Sequence, residues 1–211
     1  MPEALKTRYR DGLLDPVRLS WKVIEEEKAK GPQYYSSQFR QNPVPPGGAM
    51  FNTAMIKVGV PPAKWARLVR FWDKVASSGK GDYTVGLLLG LCPDNRLWVL
   101  DVVRGRWDTH ARDQKILRTA EEDGTRVLVG VEQEPGSGGK ESAEATVRRL
   151  VGYRVKVVKV DSTTGGKERR ADPVSYQVNG GNLYLKANEP WIDAFKSELE
   201  FFPYSKHDDQ V

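Results

Sequence analysis

Carboxylate side chains at three widely separated places are the residues of this chain best suited to catalysis. Asp73 ends one apolar run, Glu132 ends a second, and Asp208 and Asp209 lie beside the C-terminus. Carboxylate oxygens are the preferred ligands of hard divalent cations such as Mg²⁺ and Mn²⁺. Two such ions held together can drive phosphodiester cleavage. If the fold brings these four side chains to one place, they predict a metal-dependent nuclease.

Each of these carboxylates also has a purely structural interpretation. Asp73 can be a residue that simply ends a strand, and Asp208 and Asp209 can belong to an acidic tail. The aromatic residues before the pair and the helix-breaking Pro203 argue against a free tail. Adjacent residues cannot project in the same direction from a helix. One aspartate would therefore bind metal directly, while the other orients water, binds the second ion or favours a helix N-terminus.

Two further carboxylates lie near the predicted ligands. Glu134 comes two residues after Glu132 and would face the same way if the strand continued. Because Pro135 interrupts the strand, we expect Glu134 to be the weaker candidate. Asp82 precedes the next apolar run and is interpreted as a turn residue, with a supporting role at the site as the alternative.

The hydrophobic pattern predicts the elements that position these carboxylates. Apolar runs predict strands, and amphipathic segments predict helices. The strands are expected at 68–73, 84–91, 97–103, 126–132, 154–160 and 183–185, and the helices at 108–122, 140–151, 167–177 and 191–202. The order is a strand, a hairpin, then alternating helices and strands. We find no internal repeat.

This order predicts an α/β protein with a ribonuclease H-like mixed sheet, in which an antiparallel hairpin adjoins parallel strands and helices flank the sheet. In such a sheet the end of the first strand lies beside the end of the fourth. Asp73 and Glu132 would then be neighbours, and a late helix would bring Asp208 and Asp209 against both.

The first 50 residues differ in character from the rest. A helix is expected from Asp15 to Lys30, with Pro16 in its first turn. The segment 38–48 is rich in proline and glycine and has little potential to form a core. We therefore predict an N-terminal arm or linker over residues 1–50 and a single nuclease domain over residues 51–211.

Length and composition exclude several classes of protein. With 211 residues, of which 39% are hydrophobic and 29% charged, the chain can form a globular domain with a sizeable core. The longest uncharged apolar stretch, 83–93, is too short to cross a bilayer. Cys92 is the single cysteine, which excludes an internal disulfide. The N-terminus lacks a secretion signal, so a cytoplasmic setting is expected.

The modest net charge of +5 is compatible with an ordinary solvated surface. Lys80, Lys140 and Lys167, however, lie beside glycine-rich turns, where flexible backbone and cations can meet phosphates. Ser137 and Gly138 precede a predicted helix and can present backbone amides to a phosphate, or form only a structural turn. This loop is not a nucleotide-binding P-loop, because glutamates occupy two of the required positions.

Several segments together resemble the C-terminal nuclease region of the phage terminase large subunit. They comprise the linker-like 38–43, the first strand and hairpin at 70–73 and 81–84, the second acidic motif at 131–140 and the third at 206–211. The resemblance implies that Asp73, Glu132, Asp208 and Asp209 are metal ligands. It also implies cleavage of double-stranded DNA in viral genome packaging, with dependence on Mg²⁺ or Mn²⁺ and two bound ions.

The resemblance also implies partners and a location. Members of this family join the nuclease to an ATPase domain in one polypeptide, and act with a portal and a small terminase subunit in the cytoplasm of the infected host cell. This sequence contains no Walker motif, so no ATPase activity is expected of it. Because family members usually continue beyond the third motif, the chain is expected to be an excised domain.

Two other interpretations of the sequence stay open. The first keeps the fold and changes the substrate, giving a resolvase-like nuclease that acts on branched DNA. The second is a non-catalytic module that binds DNA or docks on the motor, with residues 9–48 as the docking element. Preference for junctions would indicate the first, and metal-independent DNA binding without cleavage would indicate the second.

Overall fold

The computed structural model describes residues 8–29, 50–74, 83–159, 166–204 and 209–211. The chain divides into two compact units, Met1–Ala49 and Met50–Val211. In the first unit, helix α1 (Trp21–Ala29) begins after Ser20, whose hydroxyl accepts a hydrogen bond from the Val23 amide. The helix starts later than predicted because Asp15 closes a separate turn, in which its carboxylate accepts a hydrogen bond from the Arg18 amide at 3.0 Å.

The second unit contains the elements that position the predicted site. A short 3-10 helix (Thr53–Met55) precedes strand β1. The described strands are β1 (Lys57–Gly59), β2 (Arg67–Asp73), β3 (Thr84–Leu91), β4 (Leu97–Gly105), β5 (Leu128–Gln133), β6 (Arg154–Lys159) and β7 (Leu183–Lys186). The described helices are α2 (Thr109–Asp123), α3 (Ser137–Arg149), α4 (Lys167–Asn179) and α5 (Ile192–Phe201).

These strands form one mixed sheet in the order β1-β7-β4-β3-β2-β5-β6. Strand β3 is antiparallel to both of its neighbours, and the other pairs are parallel. The antiparallel hairpin beside crossed-over parallel strands is the arrangement that the sequence predicts. Strand β1 was not predicted, because its three residues are too few for an alternating pattern. Among the described residues, no helix is both long and apolar enough to cross a bilayer.

Two hydrophobic clusters cover opposite faces of the sheet. On one face, Trp72, Val129 and Val131 pack with residues of α2 and with Leu150 after α3. On the other face, strands β4 and β7 pack with α4 and α5, and that cluster contains Val99, Leu183, Leu185, Ala171, Val178, Phe195, Leu199 and Phe202. Burial of these apolar side chains is the main force that holds the helices on the sheet.

Strand β2 is held in the centre of the sheet by a buried arginine. Arg70 is 2% exposed. Its guanidinium donates two hydrogen bonds of 2.8 Å to Asp123, contacts Asp101 at 2.8 Å and donates to the Gly86 carbonyl. Because a buried charge is tolerated only when it is paired and hydrogen-bonded, this network fixes β2 against β3, β4 and the end of α2.

One glycine of β5 is explained by a close approach from β2. A β-carbon at Gly130 would lie 2.6 Å from the Phe71 ring, so only glycine leaves room for this ring on the face occupied by α4 and α5. Phe71 lies two residues before Asp73, and its partner Gly130 lies two residues before Glu132. Gly130 therefore allows β2 and β5 to pair closely at the point where both reach the candidate site.

Candidate active site

Asp73 and Glu132 lie side by side at the ends of two parallel strands. The backbone register of β2 and β5 pairs Trp72 with Val131, and each acidic residue comes one position later. Paired residues on adjacent strands project to the same face of a sheet, and successive residues alternate. Trp72 and Val131 are buried on the face of α2 and α3, so Asp73 and Glu132 occupy the face of α4 and α5.

The third acidic segment shares a cavity of about 620 Å³ with the ends of β2 and β5. Asp73, Glu132 and Asp209 all line it, although they are separated by up to 136 positions in the chain. Lys167 and Arg170 of α4 line the same cavity. Its remaining surface is mostly apolar and includes Val85, Leu87, Val99, Leu183, Phe195 and Leu199.

The Asp73 carboxyl lies in an environment that disfavours its charge. Burial, followed by the charge of Glu132, raises the pKa of Asp73 to about 6. The positive charge of Lys167 opposes this rise, whereas Asp209 and Glu134 add to it. A partly buried carboxylate surrounded by others of the same sign is stabilised by a bound cation. The electrostatics of the site therefore favour a positive ligand.

The donor atoms fit a hard divalent ion by their chemistry. Asp73, Glu132 and Asp209 offer only carboxylate oxygens, which suit Mg²⁺ or Mn²⁺ better than softer metals. Within the part of the chain that the structure describes, no three His, Cys, Asp or Glu side chains lie close enough together to form a metal site by themselves. Asp208, predicted as a further ligand, lies outside the described residues, as does Asp82.

Lys74, the residue after Asp73, anchors the end of β2 on the opposite face. Its ammonium group donates hydrogen bonds to the carbonyl and hydroxyl oxygens of Ser142, both at 2.9 Å, and to the Thr146 hydroxyl at 3.0 Å. Burial, assisted by Arg112, lowers the pKa of Lys74 to about 8. These three contacts attach the strand end to α3, so Asp73 projects from a fixed point of the backbone.

The residues predicted to contact DNA lie in different places. Lys167 begins α4 and faces the carboxylates closely enough to affect Asp73. Ser137 begins α3, and Gly138 lines a second cavity of about 540 Å³ that also contains Glu132 and Glu134. Lys140 lies 3.8 Å from Glu144 on the surface of α3. Lys80 lies outside the described residues.

Three charged residues at the site were not among the site residues predicted from the sequence, although Arg170 belongs to the basic run that follows the glycine-rich turn at 165–166. Arg170 lies 3.7 Å from Glu132, and Arg104 lies 3.6 Å from Asp209. Glu198 of α5 forms an ion pair with Arg104. Arg170 could have been found from its spacing, because it follows Lys167 by three positions and so shares a helix face with it. No spacing connects Arg104 of β4 with Glu198.

Residues 70–211, about two thirds of the chain, match the family described as the terminase RNase H-like domain. The chain belongs to this family. The resemblance stated from the sequence motifs is therefore confirmed, as is the ribonuclease H-like fold. No curated protein is significantly similar to the chain.

Solved structures of other terminase nucleases have the same fold. The large terminase nuclease from thermophilic phage G20c is 18% identical over 77% of this chain and 93% of its own, with a TM-score of 0.51. The P22 large terminase nuclease domain is 10% identical over 72% of this chain and 78% of its own, with a TM-score of 0.54. At these identities the likeness establishes only the fold of this terminase domain. Its chemistry is argued from the residues of the site.

Proposed function

We propose that this terminase domain is a metal-dependent endonuclease that cuts double-stranded DNA during viral genome packaging. The observation that carries the proposal is the convergence of Asp73, Glu132 and Asp209 on one cavity, where burial and the neighbouring carboxylates disfavour the charge of Asp73. Such a site is suited to Mg²⁺ or Mn²⁺. Membership of the terminase family supports a nuclease and viral DNA as its substrate.

Within this proposal the carboxylates divide the work of binding. Two divalent ions, when bound, would lower the pKa of an attacking water and stabilise the leaving 3′ oxygen of the phosphodiester. Asp73 would be one of the residues that hold the ions, because its strand β2 ends beside β5, the strand that carries Glu132. Glu132 and the Asp208–Asp209 pair would complete the two binding positions.

The cations around the carboxylates would bind the DNA backbone. Lys167 and Arg170 line the acidic cavity itself. Further out, Arg154 and Lys156 are exposed on edge strand β6, where they pair with Leu128 and Gly130 and so share the sheet face of Glu132. Cations outside the cavity can hold phosphates without displacing metal ions from the carboxylates. Residues 154 and 156 thereby extend the set predicted from the sequence.

The proposal places the domain in a larger machine. In the cytoplasm of an infected host cell it would act with an ATPase domain of the same polypeptide, a portal and a small terminase subunit. The N-terminal residues 1–50 would be the connection to that ATPase. Since no Walker motif is present in this sequence, ATP hydrolysis would be supplied by the ATPase domain.

The experiment that tests the proposal uses supercoiled plasmid. Purified protein is incubated with it in EDTA, in Mg²⁺ and in Mn²⁺, with Asp73→Ala and with Asp193→Asn, an exposed site on α5, as the matched control. We expect nicking and linearisation in either metal by the wild type and the control, and none by Asp73→Ala. Equal cleavage in EDTA and in metal, or equal cleavage by Asp73→Ala, would refute the proposal.

The substrate class is tested in the same assay format. A linear duplex and a four-way junction of the same sequence are compared at equal concentration. The proposal predicts comparable cleavage of both, because a terminase must cut ordinary duplex. A strong preference for the junction would favour a resolvase-like enzyme, and DNA binding without cleavage in any metal would favour a non-catalytic module.

A further inference from the structure

The buried Glu198 and the partly exposed Arg104 form an ion pair next to the acidic cavity. Arg104 lies near the end of β4 and Glu198 on α5, and the Arg104 Nη2 atom contacts the Glu198 Oε1 atom at 2.5 Å. Glu198 is 6% exposed and is therefore a buried carboxylate, next to the buried apolar residue Leu199 on the same helix. A carboxylate at such a depth is tolerated only when its oxygens are matched by charge and hydrogen bonds.

The second oxygen of Glu198 holds the chain next to Asp209. Glu198 Oε2 accepts a hydrogen bond from the Gln210 backbone amide at 3.1 Å. Gln210 is itself 6% exposed, and Val211 packs against the hydrophobic cluster beneath α4 and α5. Residues 209–211 are thus fixed at the site by a side chain that lies twelve positions earlier.

Arg104 connects the same pair to the Asp209 side chain. Its Nη2 atom lies 3.6 Å from Asp209 Oδ2, and the Asp209 side chain is 10% exposed. The Arg104 guanidinium also lies 3.8 Å from the centre of the Tyr83 ring, and Arg106 lies 4.0 Å from the same ring. Because Tyr83 and Glu198 restrain the guanidinium from two directions, its position relative to Asp209 is defined.

From these contacts we infer that Arg104 and Glu198 are positioning residues, which hold the backbone and side chain of Asp209 so that its carboxylate faces Asp73 and Glu132. The inference rests on the proposed function, since it assigns Asp209 to the metal centre. Arg104 and Glu198 act through Asp209 and do not touch the metal. Partners that orient metal ligands in this way typically change metal affinity by about 10- to 100-fold when removed.

Three variants separate the contributions of the pair. Glu198→Gln keeps the shape and an oxygen for the Gln210 amide but removes the charge that faces Arg104. Glu198→Ala removes both contacts, and Arg104→Lys keeps the charge but loses the planar fork. Asp193→Asn, on the exposed side of α5, is the matched control. If Glu198→Ala does not fold, the two conservative variants carry the test.

The first measurement uses metal-free protein. Hydrogen exchange of the C-terminal peptide is followed by mass spectrometry in the wild type and in each variant. We expect faster exchange of the Gln210 amide in Glu198→Ala, a smaller increase in Glu198→Gln and no change in the control. Unchanged exchange in folded Glu198→Ala would overturn the inference, whether or not the wild-type protein cuts DNA.

The second measurement is a double-mutant cycle on manganese affinity. Mn²⁺ binding is measured by calorimetry for the wild type, Glu198→Gln, Asp209→Asn and the double variant. If Glu198 acts through Asp209, Glu198→Gln weakens Mn²⁺ binding about 10-fold when Asp209 is present. The same substitution has little effect on Mn²⁺ binding in a protein that already carries Asp209→Asn. Equal effects in both backgrounds would overturn the inference. Cleavage at saturating Mn²⁺ should largely recover in Glu198→Gln, because the defect lies in affinity.

The inference and the proposed function fail in different ways. If the wild type cuts no DNA in either metal, the proposed function fails, while the exchange measurement still reports on the contacts of Glu198. If the wild type cuts DNA and the variants bind Mn²⁺ as tightly as it does, the inference fails alone.

Discussion

Asp73 and Glu132 each follow the last backbone pair between β2 and β5, which is formed by Trp72 and Val131. This register fixes both carboxylates on one face of the sheet, at the edge where parallel strands end. The arrangement requires no loop to bring the two side chains together. Asp209 is added to this pair of carboxylates by the contacts of α5 and β4.

The first prediction concerns the role of Asp73 in cleavage. Asp73→Asn keeps the shape of the side chain but removes the charge that binds a divalent ion. We expect cleavage of plasmid DNA to fall by about 100-fold or more, since even the loss of a residue that only supports a metal ligand costs about 10- to 100-fold.

DNA binding by the same variant should be unchanged or tighter. The change removes one negative charge close to the expected path of the phosphate backbone. Fluorescence anisotropy with a labelled duplex in EDTA measures this binding. Cleavage at the wild-type rate, or loss of binding together with cleavage, would contradict the assignment of Asp73 as a metal ligand.

The second prediction follows from the raised pKa of Asp73. The pKa of Asp73 is about 6 in the folded protein, compared with an ordinary value of 3.8 for an aspartate. The folded state therefore disfavours the ionised carboxylate, which lowers the free energy of unfolding. This loss of stability is absent below about pH 4, grows between about pH 4 and pH 6, and is complete above about pH 6. Without metal, Asp73→Asn should raise the free energy of unfolding by about 1–3 kcal/mol at neutral pH.

Urea denaturation in EDTA measures this difference at several pH values. The additional stability of Asp73→Asn over the wild type should vanish near pH 4, where Asp73 in the folded wild type is as uncharged as the asparagine that replaces it. The free energies of unfolding of the wild type and of Asp193→Asn should change with pH in the same way over this range. A stabilisation that is independent of pH would show that the charge of Asp73 is not its cause.

The third prediction concerns metal binding to the folded protein. A ligand that binds only the folded state stabilises it by about 2.7 kcal/mol at 100 times its dissociation constant. Mn²⁺ should therefore raise the melting temperature of the wild type and of Asp193→Asn. It should have a much smaller effect on Asp73→Asn and on Glu132→Gln. Scanning fluorimetry across a Mn²⁺ titration measures the shift, and an equal shift in all four proteins would place the metal elsewhere.

The fourth prediction concerns the exposed cations of β6. Arg154→Ala and Lys156→Ala should each weaken binding to any duplex and reduce the slope of log affinity against log salt by about 0.9. The measurement is made in the Asp73→Asn background to prevent cleavage. Arg118→Ala, exposed on α2 at the opposite face of the sheet, is the control. Salt slopes equal to that of the control would remove β6 from the DNA-binding surface.

The boundaries of most elements follow from the hydrophobic pattern, because each long strand or helix buries one periodic set of side chains. Helix α3 is an exception, since it begins at Ser137 and not at Lys140. Two glycines near its start argue against a helix by propensity. A β-carbon at Gly139, however, would collide with the Glu134 carbonyl, so this glycine is required by a close approach that the sequence does not reveal.

The site was predictable only in part, for a physical reason. Asp73 and Glu132 could be paired from the sequence because the order of elements determines which strand ends are neighbours. Arg104 and Glu198 could not, because their contact depends on how α5 packs against β4. The position of residues 209–211 likewise depends on a hydrogen bond between Glu198 and the Gln210 backbone, which no residue pattern encodes.

The most direct test of the central claim, that these carboxylates form one metal centre, is the position of manganese in a crystal. Crystals of the wild-type protein are soaked in Mn²⁺ and measured at the manganese absorption edge. The account predicts anomalous density bounded by Asp73, Glu132 and the Asp208–Asp209 pair, and none there in Asp73→Asn. Manganese bound elsewhere, or none at these residues in a protein that cuts DNA in Mn²⁺, would contradict it.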